Sequence, residues 1–233
     1  MSLENWSLVV IVSILAGLDR TAIASTTLCR PLVCAALLGF MLDIFTPALQ
    51  LGIMLELLWL MRLPVGASVA PDDTQAALSA VVLIKLFLDE MPQHNWELVI
   101  FVALLVVVLA EAGKCFDVWA RHINEHLFMR AQHYVELGRC GFLAHIHYCG
   151  MLVFAASSLL SLGFTVAVSG ALLSSGIGYV DDIALMFPVR GPLIMLCFPV
   201  VGVAATLAVL RIRHSVVLFV SGFAVTLTFL EML

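Results

Sequence analysis

The chain has 233 residues, of which 63% are hydrophobic and 12% charged, with a mean hydropathy of +1.12 and a net charge of −5 at pH 7. A soluble globular chain is roughly 45–50% apolar and about 25% charged, so the polar surface that a water-soluble domain needs is missing here. The negative balance gives no basis for attraction to nucleic acid, and unbroken apolar runs such as Leu98–Ala110 exclude the alternation a β-barrel requires. The fold expected is an all-α integral membrane protein, multi-span, with broken or re-entrant helices and inverted repeats. Six cysteines, at positions 29, 34, 115, 140, 149 and 197, show neither CxxC nor metal-ligand spacing. Most sit in apolar surroundings, where cysteine behaves as a small hydrophobe. No metal and no cofactor is expected.

The first residues, MSLENWS, carry Glu4 and no basic side chain, which argues against a cleaved secretory signal and for a first helix that stays. Trp6–Leu18 is apolar but shorter than the ~20 residues that span a bilayer. It either runs on through Asp19-Arg20-Thr21 or stops inside the membrane. Asp19 and Arg20 are therefore either a pair at a helix end or polar groups at a pocket, and taken alone the interfacial reading is favoured. Leu28–Leu42 follows, introduced by Cys29-Arg30-Pro31 and closed by Asp43, and Pro47 opens the segment containing Glu56. Ala76–Leu88 ends at Asp89-Glu90, where Pro92 and Asn95 make a turn. Trp96–Ala112 reads as a spanning helix with Trp96 at an interface.

Lys114–Arg139 changes character, holding Lys114, Arg121, Arg130 and Arg139 with three acidic residues and three histidines. Apolar Phe116, Trp119, Ile123 and Leu127 keep helical spacing. An amphipathic helix or helical hairpin on the cytoplasmic membrane surface is expected. The chain therefore divides into a membrane half at 1–112, the basic segment at 113–141 and a second membrane half at 142–233. Phe142–Leu173 is apolar and is interrupted at Gly176–Asp182. Ile183–Leu210 is broken by Pro188, Gly191, Pro192, Pro199 and Gly202, Arg211 and Arg213 suggest a cytoplasmic edge, and Ser215–Leu233 is the last helix. Each half has short apolar segments cut by Gly and Pro with an Asp-Asp pair at a break, the pattern of internally repeated transporters.

The stretch that concentrates chemistry is Leu51–Ala76, LGIMLELLWLMRLPVGASVAPDDTQA. Glu56 lies inside an apolar run, where an ionisable group costs about 2.5–3.5 kcal/mol on insertion scales. The run then breaks at Arg62, Pro64 and Gly66 and ends in Pro71-Asp72-Asp73. Non-helical backbone at membrane depth survives where it lines a cavity or is buried in protein. Asp72 or Asp73 suits a helix N-cap. Two carboxylates beside Glu56 exceed what a cap needs, and such acceptors suit a polyhydroxylated ligand or a cation alike. His122-Ile123-Asn124-Glu125-His126 matches the H-x-x-E-H zinc-peptidase pattern, and Glu136 could be offered as a third ligand, but the stretch is a charged surface segment with no pocket evident. No phosphate-binding loop and no serine nucleophile elbow is present.

Leu18-Asp19-Arg20-Thr21, then Cys29-Arg30-Pro31-Leu32, LGIMLELLWL and above all PVGASVAPDDTQAA resemble the IIC component of the mannose/fructose/sorbose family of the bacterial sugar phosphotransferase system. The likeness is strong over Gly17–Ala80. Where many members have a Gly-Asp pair, Met41-Leu42-Asp43 stands here, and Ala22 and Ile23 occupy positions where many have glutamine. The resemblance implies a permease subunit in the inner membrane that pairs with a IID subunit, in homo-oligomers of IIC–IID units, to move a hexose in an elevator-like fashion. Phosphoryl transfer would be carried by IIA and IIB partners, with none on this chain. By match to the motif, Asp19, Glu56, Asp72 and Asp73 are the sugar-pocket candidates, Glu56 first. Two rivals remain at this level: an ion-coupled transporter working alone, and a membrane subunit that regulates without transporting.

Overall fold

The computed structural model describes residues 1–23, 26–60, 69–89, 95–186, 197–210 and 214–232. Helix α1 (Leu3–Thr21) starts at Ser2, whose hydroxyl accepts from the Asn5 N–H at 3.3 Å, and carries Glu4 in its first turn, where a negative charge suits the helix dipole. It does not stop at Leu18. It continues through Asp19 and Arg20 and ends at Thr21, so the pair stands at a helix end, with Asp19 buried within the protein. Helix α2 (Pro31–Met41) takes Pro31 in its first turn, where a missing N–H costs nothing. It ends at Met41, and Asp43 just beyond it, at φ +58°, lets the chain reverse into α3 (Phe45–Leu58). At ~17 and ~21 Å, α2 and α3 are each shorter than the ~30 Å hydrocarbon core.

Helix α4 (Asp73–Phe87) is buried on every side from Thr74 to Ile84, as a helix apolar all round must be. It packs against α1, α2, α3 and the two long helices, and so forms the axis of the fold. Helix α5 (Asn95–Glu136) has 42 residues and α6 (Leu143–Met186) has 44, about 63 and 66 Å, roughly twice the bilayer core. The two are antiparallel. Gly138, at φ +67°, lies in the turn between them, and a 3-10 turn at Cys140–Phe142 leads into α6. Stacked rings of Tyr134 and Phe142 (5.3 Å), an Asn124 Nδ2 to Gly150 carbonyl bond (3.4 Å) and tilted Phe116–Phe164 rings (5.7 Å) join the pair. Helices α7 (Cys197–Val209) and α8 (Ser215–Met232) complete the described chain.

Two expected breaks are absent. Lys114–Arg139 is largely the continuation of the spanning helix rather than a separate surface element, so residues 112 and 113 fall inside α5. Gly176–Asp182 lies within unbroken α6; neither glycine ends the helix, because an isolated glycine costs a helix only about 1 kcal/mol. Arg62, Pro64, Gly66, Glu90, Pro92, Pro188, Gly191, Pro192, Arg211 and Arg213 lie outside the described residues.

The distribution of polarity is that of a protein solvated by lipid. Val108, Leu152 and Val216 are 73%, 69% and 72% exposed, while Asp19, Asp72, Asp117, Gln75 and a row of Ser and Thr on α6 are buried. In water such a surface would be an aggregation site. In a bilayer it is the ordinary outer face, and small polar residues gather between helices.

Candidate functional site

The site is built around the start of α4. Asp72 caps this helix, its carboxylate accepting the Gln75 N–H at 3.2 Å, while its own N–H donates to the Ala110 carbonyl of α5 at 3.0 Å. The same carboxylate pairs with Arg20 from the end of α1. The second guanidinium nitrogen of Arg20 donates to the carbonyls of Ala70 (3.3 Å) and Pro71 (3.2 Å). One arginine thus satisfies both the cap and the non-helical backbone that leads to it. An unpaired charge here would be costly, whereas a planar five-donor fork matches this set of acceptors.

Two glycines make this meeting possible. A Cβ on Gly17 would lie 2.6 Å from Ser158 Cβ and 3.2 Å from Gln75 Nε2. A Cβ on Gly113 would lie 2.8 Å from Ser161 Oγ and 3.0 Å from Asp72 Cβ. Below them Ser13 and Gln75 are both buried and exchange hydrogen bonds, Ser13 Oγ to Gln75 Oε1 at 2.7 Å and Gln75 Nε2 to the Ser13 carbonyl at 3.1 Å.

The other carboxylates organise the opposite side of the α4 start, around residues 26–32. Asp19 accepts from the Thr26 N–H and hydroxyl, both at 2.8 Å, and from the Cys29 N–H at 3.0 Å. Thr74 Oγ1 donates to the Cys29 carbonyl at 2.7 Å, tying the same loop to α4. Glu56 faces the N-terminus of α2, accepting from the Leu32 N–H at 3.4 Å and lying 3.5 Å from Arg30. Both contacts are long, and Glu56 keeps 21% of its side chain exposed beside a 59% exposed Arg30. Asp73 is half-buried on the first turn of α4, where its Oδ1 accepts the Thr74 N–H at 3.0 Å. Replacing Asp19 by Ala is expected to lower the thermal unfolding midpoint, since two loop N–H groups lose a charged acceptor worth about 1.5–3 kcal/mol each. An unshifted midpoint would show that the loop does not depend on it.

The four carboxylates singled out by sequence therefore surround one helix start, each held by its own partners among the described residues. A small polar cavity there is lined by Asp72 with Gly17, Arg20, Thr21, Asp117, Phe154, Ser157 and Ser158. At about 10 Å³ it has room for about one water. A larger space of about 350 Å³ lies between α5 and α6 but is walled chiefly by Leu127, Phe128, Ile146, Met151 and Phe154. Sequence reasoning missed Asp117, which it placed in a solvated segment and which is buried on α5, held by Arg121 Nε and Nη2 at 3.3 Å. The i, i+4 spacing of that pair was the available signal. His122, Glu125 and His126 are all exposed on α5.

An all-α chain with lipid-compatible outer faces, short helices packed beside long ones and an inward-facing arginine–carboxylate cluster is an integral membrane protein of transporter build. Comparison with known proteins supplies the family. The family model EII-Sor, described as the PTS system sorbose-specific IIC component, matches residues 4–232, and the chain belongs to that family. It is a IIC permease subunit of the mannose/fructose/sorbose type of phosphotransferase system, and the ion-coupled and regulatory alternatives are not favoured. The fructose permease IIC component of Bacillus subtilis (strain 168) is 25% identical over 195 residues, covering 83% of this chain and 68% of that protein. Two solved structures share the fold. One is described as the structure of a membrane protein, with a TM-score of 0.66, 18% identity and coverage of 99% of this chain and 96% of that one. The other is the cryoEM structure of the mannose transporter ManYZ in complex with microcin E492, with a TM-score of 0.58, 20% identity and coverage of 97% and 87%.

Proposed function

We propose that this permease subunit crosses the bacterial inner membrane several times and translocates a hexose together with a IID subunit, as oligomers of IIC–IID units. A IIB partner, charged by IIA, phosphorylates the sugar as it arrives. The half at 1–112 carries the sugar site. Glu56 and Asp73 receive the sugar hydroxyls, because the contacts of Glu56 are long and both side chains retain exposure at the start of α4 and α2. Asp19 holds the loop that shapes the site, and Asp72 contributes its carboxylate once Arg20 yields it. Ionised carboxylates suit this task because each accepts several hydroxyl hydrogen bonds.

The observation that carries this reading is the convergence of Glu56, Arg30, Asp19 and Asp73 on the segment joining α1 to α2 and on the start of buried α4. Ionisable groups within a membrane fold are costly and mark substrate paths. The test is phosphoenolpyruvate-dependent uptake of labelled mannose, fructose and sorbose in cells that express the partner subunits. Glu56→Gln is expected to abolish uptake while the protein still inserts and copurifies with its partner. Unchanged uptake would remove Glu56 from the site.

A further inference from the structure

We propose that Arg20 exchanges partners during transport, leaving Asp72 for Asp117, and that Asp117 is the positioning residue that releases the Asp72 carboxylate to the sugar. This rests on the reading of Asp72 as part of the sugar site. The geometry supplies one internal cation and two carboxylates around a single water-sized cavity: Arg20 from α1, Asp72 at the start of α4 and Asp117 from α5. In the present arrangement Arg20 sits on Asp72, and Asp117 is held by Arg121, whose side chain is 56% exposed. Asp117 itself is 7% exposed, so it is a buried carboxylate neutralised from the rim.

The energetics of buried charge make the second seat necessary. A guanidinium cannot leave a buried carboxylate unless each finds a new partner, because either one left alone is strongly destabilising. Sugar hydroxyls compensate Asp72 as Arg20 departs. Asp117 compensates Arg20 without carrying it into lipid. The exchange needs little travel, since both acids line the same cavity, with the Ser157 and Ser158 side chains between the helices. It also has a mechanical consequence. Arg20 holds the carbonyls of Ala70 and Pro71, so its departure frees these residues before α4 at the moment the sugar arrives. Arg121 enters as the competitor: while it holds Asp117, Arg20 is kept on Asp72.

The competition gives opposite signs for two substitutions, which a purely structural pair would not. Equilibrium binding of labelled mannose, fructose and sorbose is measured on the purified complex with its partner membrane subunit. Asp117→Asn removes the second seat, and an apparent affinity about tenfold weaker is expected as the competent state becomes rarer. Asp117→Glu restores most of it. Arg121→Gln releases Asp117 to Arg20 and is expected to tighten binding by about two- to fivefold. Binding within twofold of wild type in Asp117→Asn overturns the proposal, as does weakened binding in Arg121→Gln. Should Asp117→Asn fail to fold, the sign of the Arg121→Gln effect decides alone. If Glu56→Gln also binds normally, the sugar-site reading itself has failed. If Glu56→Gln loses binding while both other variants are silent, only the exchange is wrong.

Discussion

Replacing Arg20 by methionine is expected to destabilise the fold by about 3–5 kcal/mol, the cost of leaving a buried carboxylate without its partner. Arg20 and Asp72 are 19% and 9% exposed at the side chain, and the arginine also holds two backbone carbonyls. Its removal therefore strips donors from three acceptors at once. The loss appears as a lower thermal unfolding midpoint of the purified protein in detergent, with uptake lost in parallel. Combining Arg20→Met with Asp72→Asn is expected to recover much of the stability, because the neutral amide still accepts the Gln75 N–H and no longer carries a charge. Uptake is not expected to return. A single Arg20→Met variant as stable as wild type would show that the pair is not an anchor between α1 and α4.

The second large effect is steric. Gly17→Ala places a methyl group where Ser158 Cβ is only 2.6 Å away, on the shared seam of α1, α4 and α6. The obstacle is the base of a side chain on a rigid helix, so rotation does not relieve it, and overpacking of this kind costs about 1–3 kcal/mol. Gly17→Leu costs more. The displaced residue lies three positions before Arg20, so the shift carries the guanidinium away from Asp72. Both the unfolding midpoint and sugar uptake are expected to fall. Ser158→Gly introduced beside Gly17→Ala removes the Ser158 Cβ and Oγ atoms that obstruct the methyl group and is expected to restore the midpoint. Failure of that rescue would mean that the seam relaxes elsewhere.

Parts of this site were legible in the residues themselves because they depend on local chemistry. Pro31 in the first turn of α2 and Asp72 as a cap are decided by which groups a helix end leaves unpaired. The PVGASVAPDDTQAA block pointed to the family, and the match over residues 4–232 agrees. Where helices end was harder. Glycine and charge in α5 and α6 looked like breaks, yet packing between two helices of 42 and 44 residues outweighs the small propensity cost of each. Asp117 was misplaced for a related reason, since a charged neighbourhood in sequence says nothing about which face of a long helix is covered.

By itself, the sequence determined that the chain is helical and membrane-embedded and that it belongs to the sorbose-type IIC family. Hydropathy, capping and motif are properties of neighbouring residues, and they survive without knowing the fold. Only the tertiary structure decided which charges meet. Arg20 and Asp72 are 52 positions apart, and they pair because Gly17 and Gly113 let α1, α4, α5 and α6 approach the same point. That approach sorts four carboxylates into a loop scaffold, a helix cap held by arginine and two half-exposed acceptors, a division that depends on distance through space.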